Sequence, residues 1–467
     1  MKLTLRLVPL ILIAVTGAPL SRAADDSSSA MPPELIAFSK AKEQQMRRSI
    51  TNLNLKVTPD MDNFFRAAAH GDYEGVKTVI DRLTPQYINL TSNPGNELPS
   101  WVFLWQPMTE VETAYNVFAE GGSKYPLALG HGIIRSIPTG SIYFGGTDAG
   151  RGLVTALSES QAQGRPFFTL TQNALSNVRY EDYVRSIYGG RISLPTTNDV
   201  QVAIEAYKAD ALRRFRHDQD FPAAPRQLKP GEDVQMVDGQ LQVNGQVSVM
   251  AIHARLVKLI LERNPAREFY LEESYPMESI YPYLSPHDFI FKMDHAPVAA
   301  FTGPILDHDH AFWSSECSSV LGSWLTPETS VSNVCEFVAT VYGRKDWSHF
   351  SGDPDFVTNT FATKVFAKLR VSLAGLYQWR LANQQPSDDR PRLEAETDYA
   401  FRQAFALGPN SPEVVFRCVN FLLSENRFGD AILVAGTARK LAPDNQQYDN
   451  LLQSLENFRS QPQGSAH

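Results

Sequence analysis

A spacing of 34 residues near the end of the chain restricts the fold more than any other feature of the sequence. The repeated residues are Ala404, Leu407 and Pro409, which return as Ala438, Leu441 and Pro443. A unit of this length holds two helices joined by a turn, and a proline after the second helix ends it. One such hairpin cannot bury its own apolar face, so neighbouring units must stack. The sequence therefore predicts stacked helical hairpins over residues 355–460.

These hairpins resemble the tetratricopeptide family over about residues 365–460. Ala431, seven residues before Ala438, lies where that family has a small residue at the crossing of its paired helices. The chain departs from the family at Val415 and Val419, where an aromatic and a small residue are expected. The resemblance implies that this part of the chain binds a protein partner.

The first 23 residues have the three parts of a secretory signal peptide. Lys2 and Arg6 come before an apolar run over residues 7–15, and Ser21 and Ala23 supply small side chains for a cleavage site. That run is shorter than the ~20 residues that span a bilayer, and no later run is long and apolar enough to do so. We expect an exported protein, periplasmic or secreted, with no transmembrane segment after its leader. An uncleaved membrane anchor is the alternative.

The charge of the chain argues against nucleic acid as a partner. The formal net charge is −8, and it becomes −11 when the leader removes its three basic residues, Lys2, Arg6 and Arg22. Nucleic-acid binding needs a clustered positive surface, so we do not expect it here.

The three cysteines of the chain are Cys317, Cys335 and Cys418. In an exported protein, Cys317 and Cys335 could form a disulfide. The alternative is that all three are small buried apolar residues, as free cysteines often are.

Three regions separate the leader from the repeats. Residues 24–57 are predicted to be a flexible or helical segment, and residues 58–132 a helical region with a hairpin that turns at Gly71. Residues 84–100, rich in Pro, Asn, Ser and Gly, are predicted to be a loop. Residues 133–350 are predicted to form an α/β domain with a helical end.

Short β-type runs alternate with helical patterns in that α/β domain, which is typical of parallel sheets. The runs are residues 141–144, 167–170, 268–271 and 289–293, with a helix expected at residues 277–284. Two tight-turn signals within residues 234–247 predict an antiparallel hairpin. The predicted fold class is α/β, with a mostly parallel, Rossmann-like sheet and a β-hairpin, followed by an all-α tetratricopeptide-type domain.

A glycine-rich segment follows the first of these runs and opens a helix. Its candidate ligand-binding residues are Gly145, Gly146, Thr147, Asp148 and Arg151. Doubly wound folds bind anions at such a turn, because free backbone N–H groups point outward and glycine lets the ligand approach. Neither of the usual nucleotide-binding glycine motifs is present. The alternative is a tight turn in which Asp148 caps the helix.

Polar residues also follow two other predicted strands. Thr171 and Asn173 come after the second run, and Glu272 and Glu273 come after the third. If the three strands are parallel, their loops emerge at one edge of the sheet, where open α/β folds bind ligands. The sequence therefore predicts that Asp148, Thr171, Asn173 and Glu272 lie near one another. For the two glutamates, the alternative is a pair of solvated loop acids.

A further segment alternates acids with imidazoles. Its residues are Asp307, His308, Asp309 and His310. On an extended chain, alternate side chains share one side, and histidines placed in this way can bind zinc. The spacing supplies no third ligand, and no H-E-x-x-H helix occurs. We therefore predict no metal site and no cofactor.

The middle of the chain also resembles a family of exported bacterial proteins of unknown function. The resemblance is carried by residues 136–148, 169–175, 268–276 and 281–284. It extends more distantly to the soluble region of bacterial membrane proteins related to protein O-mannosyltransferases, which also join a strand–Gly–Asp–helix unit to tetratricopeptide repeats. The chemistry of those enzymes lies among transmembrane helices. The resemblance therefore implies a related soluble module and transfers no catalytic residue.

These patterns together predict a non-catalytic, exported binding or scaffold protein. Its repeats would dock a protein partner, and its α/β domain would bind an unidentified ligand. The alternative is an enzyme or accessory factor that acts on a glycan or sugar phosphate in envelope glycosylation. The sequence identifies no catalytic residue for that alternative.

Overall fold

In the computed structural model, the described residues are 31–92, 98–158, 165–229, 231–237, 239–383 and 389–460. The predicted leader lies outside them. Helices make up most of the described chain, with a small mixed sheet near its middle and helices at its C-terminal end. The chain divides into two compact units, residues 1–130 with 152–159 and residues 131–151 with 160–467.

The first unit is built from helices. They are α1 (Pro33–Leu53), α2 (Pro59–Ala69), α3 (Tyr73–Ser92), a 3-10 turn (Ser100–Leu104), α4 (Trp105–Gly121), the first part of α5 (Lys124–Ser136) and α6 (Val154–Leu157). Between α2 and α3 the predicted hairpin turns at Gly71, whose φ of +71° favours glycine. The Tyr115 hydroxyl donates to the carbonyl of Ala68 at 2.6 Å and so joins α4 to this hairpin. Because α3 continues through Pro85, the loop predicted from residue 84 is helical as far as Ser92.

The second unit contains all seven strands of the described chain. They are β1 (Ile142–Gly145), β2 (Phe168–Thr171), β3 (Asp233–Val237), β4 (Gln240–Asn244), β5 (Phe269–Leu271), β6 (Leu284–His287) and β7 (Ile290–Met293). Five of them form one sheet in the order β2-β1-β5-β7-β6, and β3 pairs with β4 in a separate hairpin. Strand β1 runs parallel to both β2 and β5, whereas β7 runs antiparallel to both β5 and β6.

Two sequence predictions for the sheet need correction. The main sheet is mixed rather than mostly parallel, because its last two strands are antiparallel. Residues 277–284 are not an α-helix; a 3-10 turn at Glu278–Tyr283 leads directly into β6. The sequence hides β6 because it contains Pro286, which cannot donate a ladder hydrogen bond. An edge strand tolerates that loss, and β6 lies at the edge of the sheet.

In the second unit, helices separate the strands along the chain and then continue to the end of the described residues. They are α7 (Val178–Tyr188), α8 (Thr197–Asp220), α9 (Gln246–Arg263), α10 (Gly303–Leu321), α11 (Val331–Val338), α12 (Pro354–Thr358), α13 (Thr360–Asn383), α14 (Arg390–Leu407), α15 (Pro412–Ser424), α16 (Phe428–Leu441) and α17 (Gln446–Ser460). Helix α8 begins with a capping box in which Thr196 and Asp199 exchange side-chain and backbone hydrogen bonds.

The repeated residues of the sequence lie at matching positions in two of the C-terminal helices. Helices α14 and α16 end at Leu407 and Leu441, which are the two repeated leucines. Ala404 and Ala438, three residues earlier in each helix, are both fully buried. Small buried residues at equivalent positions allow helices to pack closely, as stacked hairpins require.

Helix α13 joins these C-terminal helices to the sheet. The guanidinium of Arg380 donates to the carbonyls of Tyr281, Pro282 and Leu284, at the start of β6. Nearer its N-terminal end, the fully buried Arg370 pairs with Asp309 of α10 at 2.8 Å. The sheet and the C-terminal helices therefore belong to one unit.

All three cysteines are free and buried. Cys317 lies on α10, Cys335 on α11 and Cys418 on α15. The disulfide between Cys317 and Cys335 is not formed, and the cysteines pack as small apolar residues.

Candidate functional site

Three loops meet at the carboxyl edge of the parallel strands. Since β1 is parallel to both β2 and β5, the loops that follow these strands emerge on the same side. The Glu272 carboxylate accepts the backbone N–H groups of Gly146 at 2.8 Å and Thr147 at 2.6 Å. The Asn173 amide donates to the Gly146 carbonyl and to the Ser274 hydroxyl, each at 3.2 Å. The predicted meeting of the three loops is confirmed.

The glycines of the β1 loop let it close on Glu272. A Cβ added to Gly146 would lie 2.3 Å from the Glu272 carbonyl oxygen, and one added to Gly150 would lie 2.2 Å from Glu272 Oε2. At Gly145 an added Cβ would lie 2.7 Å from the Cα of Arg151. The N–H groups that the sequence assigned to an anionic ligand are thus occupied by the protein's own carboxylate.

Asp148 and Arg151 bind each other through their charged side chains. The Arg151 guanidinium donates to Asp148 Oδ1 through Nε at 3.0 Å and Nη2 at 2.6 Å. The predicted capping role of Asp148 is wrong, because the hydroxyl of Thr147 accepts the N–H of Gly150 at 3.0 Å instead. A π-helical turn, Ala149–Leu153, follows directly.

Glu272 is nearly inaccessible to solvent, with 1% of its surface exposed. Burial raises the pKa of its carboxyl to about 6, although the hydrogen bonds from Thr147 and Gly146 favour the charged form. Its second oxygen, Oε1, has no hydrogen-bond partner among the described residues. Glu272 therefore carries a buried oxygen that can still accept a hydrogen bond.

The neighbouring Glu273 serves a different contact. It accepts the Tyr281 hydroxyl at 2.7 Å through Oε2, and Oε1 lies 3.6 Å from Arg417 Nη2 on α15. Burial, and then the Glu273 charge, raise the pKa of Tyr281 well above its usual value. The interpretation of the two glutamates as solvated loop acids is wrong, because both are buried.

A series of ion pairs between acidic and basic side chains extends from this edge of the sheet into the C-terminal helices. Glu413 on α15 accepts from Lys368 of α13 at 2.5 Å and lies 3.1 Å from Arg417. Burial lowers the pKa of Arg417, but Glu413 and Glu273 raise it more, so the net shift is upward. The sheet edge is thereby connected by ion pairs to two of the C-terminal helices.

Two further residues at the end of β2, Thr171 and Gln172, make different contacts. Thr171 lies opposite Gly145 in the ladder, and its backbone N–H donates to the Tyr180 hydroxyl at 2.5 Å. Gln172, which the sequence analysis did not single out, is fully buried and accepts the Ser274 N–H at 3.3 Å. The amide nitrogen of Gln172 has no hydrogen-bond partner in the described structure. Its position between Thr171 and Asn173 was the only signal available for it.

The structure also contains a serine–histidine pair that the sequence did not predict. Ser176 Oγ lies 2.9 Å from Nε2 of His253 on α9, and burial lowers the pKa of that imidazole to about 4. The other ring nitrogen, Nδ1, has no partner among the described residues. The two residues are 77 positions apart, so no local pattern could have joined them.

The segment from Asp307 to His310 does not form the extended strip that zinc binding would need. It lies within α10, where successive side chains point in different directions. Each side chain instead contacts a different residue of opposite charge type: Asp307 with Arg392, His308 with Asp288, Asp309 with Arg370, and His310 with Glu396. Across the described part of the chain, no group of three or more His, Cys, Asp or Glu residues is arranged to hold a metal ion.

The chain matches no protein-family model, and neither the curated proteins nor the solved structures include a significant match. Within the described ranges, none of the helices has the length and apolar character needed to cross a membrane.

Proposed function

We propose that this chain is an exported binding or scaffold protein whose C-terminal helices dock a protein partner. The observation that carries the proposal is the 34-residue register of α14 and α16, with Ala404 and Ala438 buried at equivalent positions. Helical hairpins stacked in this way form extended surfaces that bind other proteins. The tetratricopeptide assignment and export through the leader are parts of this proposal.

The closure of the sheet edge also favours binding over catalysis. Glu272 occupies the backbone N–H groups of Gly146 and Thr147. An enzyme of the doubly wound type would keep such groups available for its substrate. We propose that β2, β1 and β5 form a small Rossmann-like core whose anion site is filled by the chain itself.

Recovery of partners from the exported fraction tests the docking proposal. Leu433 lies on α16 and is 38% exposed, so Leu433→Asp changes the surface of the repeats without entering their core. Val202→Asp is the matched control, because Val202 is 58% exposed on α8, outside the repeats. A stoichiometric partner should be crosslinked to the wild-type chain and the control and lost with Leu433→Asp. Equal recovery with both variants, or no partner with any chain, would contradict the proposal.

An enzyme acting on a glycan or sugar phosphate is the second candidate function. It is favoured by Glu272, whose pKa of about 6 suits a general acid, and by the Ser176–His253 pair. Turnover of nitrophenyl glycosides or sugar phosphates that is lost with Glu272→Gln or Ser176→Ala would support it. No turnover between pH 5 and pH 8, a range of roughly one to two units around that pKa, would exclude these substrates.

A further inference from the structure

We propose that the carboxyl edge of the sheet binds an uncharged saccharide unit. The inference concerns the β1, β2 and β5 loops alone, and it stands whether or not the C-terminal helices bind a partner.

Unpartnered polar atoms cluster at this edge. Oε1 of Glu272, Oδ1 of Asn173 and Nε2 of Gln172 are buried and have no hydrogen-bond partner among the described residues. Buried polar groups in folded proteins nearly always have partners, so three from adjoining loops indicate a group that arrives from outside the chain. Two of the atoms accept and one donates, which matches the hydroxyl groups of a saccharide.

The charge of the edge selects against a phosphate. The N–H groups that could hold an anion already bind Glu272. The nearby cations are also paired: Arg151 with Asp148, Lys368 with Glu413, and Arg417 with both Glu413 and Glu273. A phosphate would therefore meet the Glu272 carboxylate oxygens without a free positive group. Hydroxyl groups can donate to those same oxygens.

An exposed aromatic residue, Tyr275, follows the cluster directly in the chain. This side chain is 37% exposed and directly follows Ser274, which binds both Asn173 and Gln172. Ser274, Asn173 and Thr147 are partly exposed, while Gln172 and Glu272 lie buried beneath them. A sugar has an apolar face and a hydroxyl edge, so an exposed aromatic residue next in the chain to these polar residues suits it.

Saturation-transfer NMR and calorimetry on the full chain test the inference. The probes are the methyl glycosides of glucose, mannose and galactose, together with the 6-phosphates of the same sugars. At least one methyl glycoside should bind saturably, and its 6-phosphate should bind at least roughly tenfold more weakly, because it loses favourable contacts near the carboxylates.

Two substitutions and a control define the location of the site. Asn173→Ala and Tyr275→Ala should each weaken binding roughly tenfold, whereas Tyr275→Phe should retain it. Phe221→Ala is the control, because Phe221 is an exposed aromatic residue outside these loops, at 60% exposure. Since Tyr275 is at the surface, its variants should fold even if Asn173→Ala does not.

The inference is overturned if none of the three methyl glycosides binds, if the 6-phosphate binds as tightly as the glycoside, or if Phe221→Ala weakens binding as much as Tyr275→Ala. Such outcomes would leave the docking proposal for the C-terminal helices intact, because that proposal rests on different residues.

Discussion

The C-terminal helices and the carboxyl edge of the sheet hold together by different means. In α14 and α16 the residues at the equivalent buried positions are alanines, Ala404 and Ala438, whose small apolar side chains allow close packing there. At the sheet edge the buried residues are polar or charged; Glu272 and Glu273 are 1% and 2% exposed. A close apolar contact tolerates no added volume, whereas a buried charge tolerates no lost partner. Loss of a charged partner should therefore be the most damaging change at the sheet edge, and added volume the most damaging change at the two alanines.

The largest effect is expected where the two regions meet. Arg417→Met leaves the buried Glu273 carboxylate without its cation and should lower the free energy of unfolding by about 3–5 kcal/mol. Urea denaturation measures this change. The double variant Arg417→Met with Glu273→Gln should recover part of the loss, because it removes the unpaired charge. Strictly additive effects of the two substitutions would show that the pair is not coupled.

Added volume should be the most damaging change within the C-terminal helices. Ala438→Trp overpacks a fully buried position and should lower the free energy of unfolding by about 3 kcal/mol. The matched control is Gly436→Ala in the same helix, since an added Cβ there meets nothing within 4 Å. That control should raise stability by about 0.5–1 kcal/mol, because alanine favours a helix over glycine. Unchanged thermal stability in Ala438→Trp would mean that the repeat register is wrong.

Added volume should also disturb the sheet edge, at the point where backbone meets backbone. Gly146→Ala places a Cβ 2.3 Å from the Glu272 carbonyl oxygen, and it should cost about 2–3 kcal/mol of stability. Gly190→Ala is the control, because an added Cβ there meets no atom within 4 Å. Differential scanning calorimetry should show a lowered Tm for the first variant alone. Similar Tm values for both variants would argue that the β1 loop is not packed as described.

The sequence could predict which residues lie at the carboxyl edge of the sheet, because the patterns that indicate them are local. Each short β-type run was followed by polar residues, and parallel strands place such residues at the same edge whatever their order in the sheet. It could not predict that Glu272 fills the β1 loop, since a carboxylate that caps N–H groups 125 residues away leaves no local pattern. The same reason hid the pairing of Ser176 with His253.

Helical periodicity carried less information where polar residues dominated. The residues from Asp307 to His310 alternate in a way that suits an extended chain, yet they lie within a 19-residue helix. The surrounding apolar residues Leu306 and Trp313, both buried, determine that helix by packing. The local pattern allowed either an extended segment or a helix, and tertiary contacts determine that this segment is a helix.

The smallest expected effect is a pH dependence that separates the two regions. The folded-state pKa of Glu272 is raised from 4.5 to about 6 by burial, so its contribution to stability is fully present below pH 4.5 and is lost as the pH rises through 6. Over that window the wild type should lose roughly 2 kcal/mol relative to Glu272→Gln. Urea titrations of both proteins at a series of pH values measure the difference. Parallel stability curves would mean that Glu272 titrates normally in the folded protein.

Carbon NMR of the glutamate carboxyl groups tests the central claim most directly, with Glu272→Gln used to assign the resonance. The claim is that Glu272 is a buried carboxylate that fills the β1 loop of its own chain. Its resonance should titrate with a pKa of about 6, and the amide protons of Gly146 and Thr147 should shift over the same pH range. A carboxyl that titrates at the ordinary value of 4.5, with those two amide protons unmoved, would contradict the account.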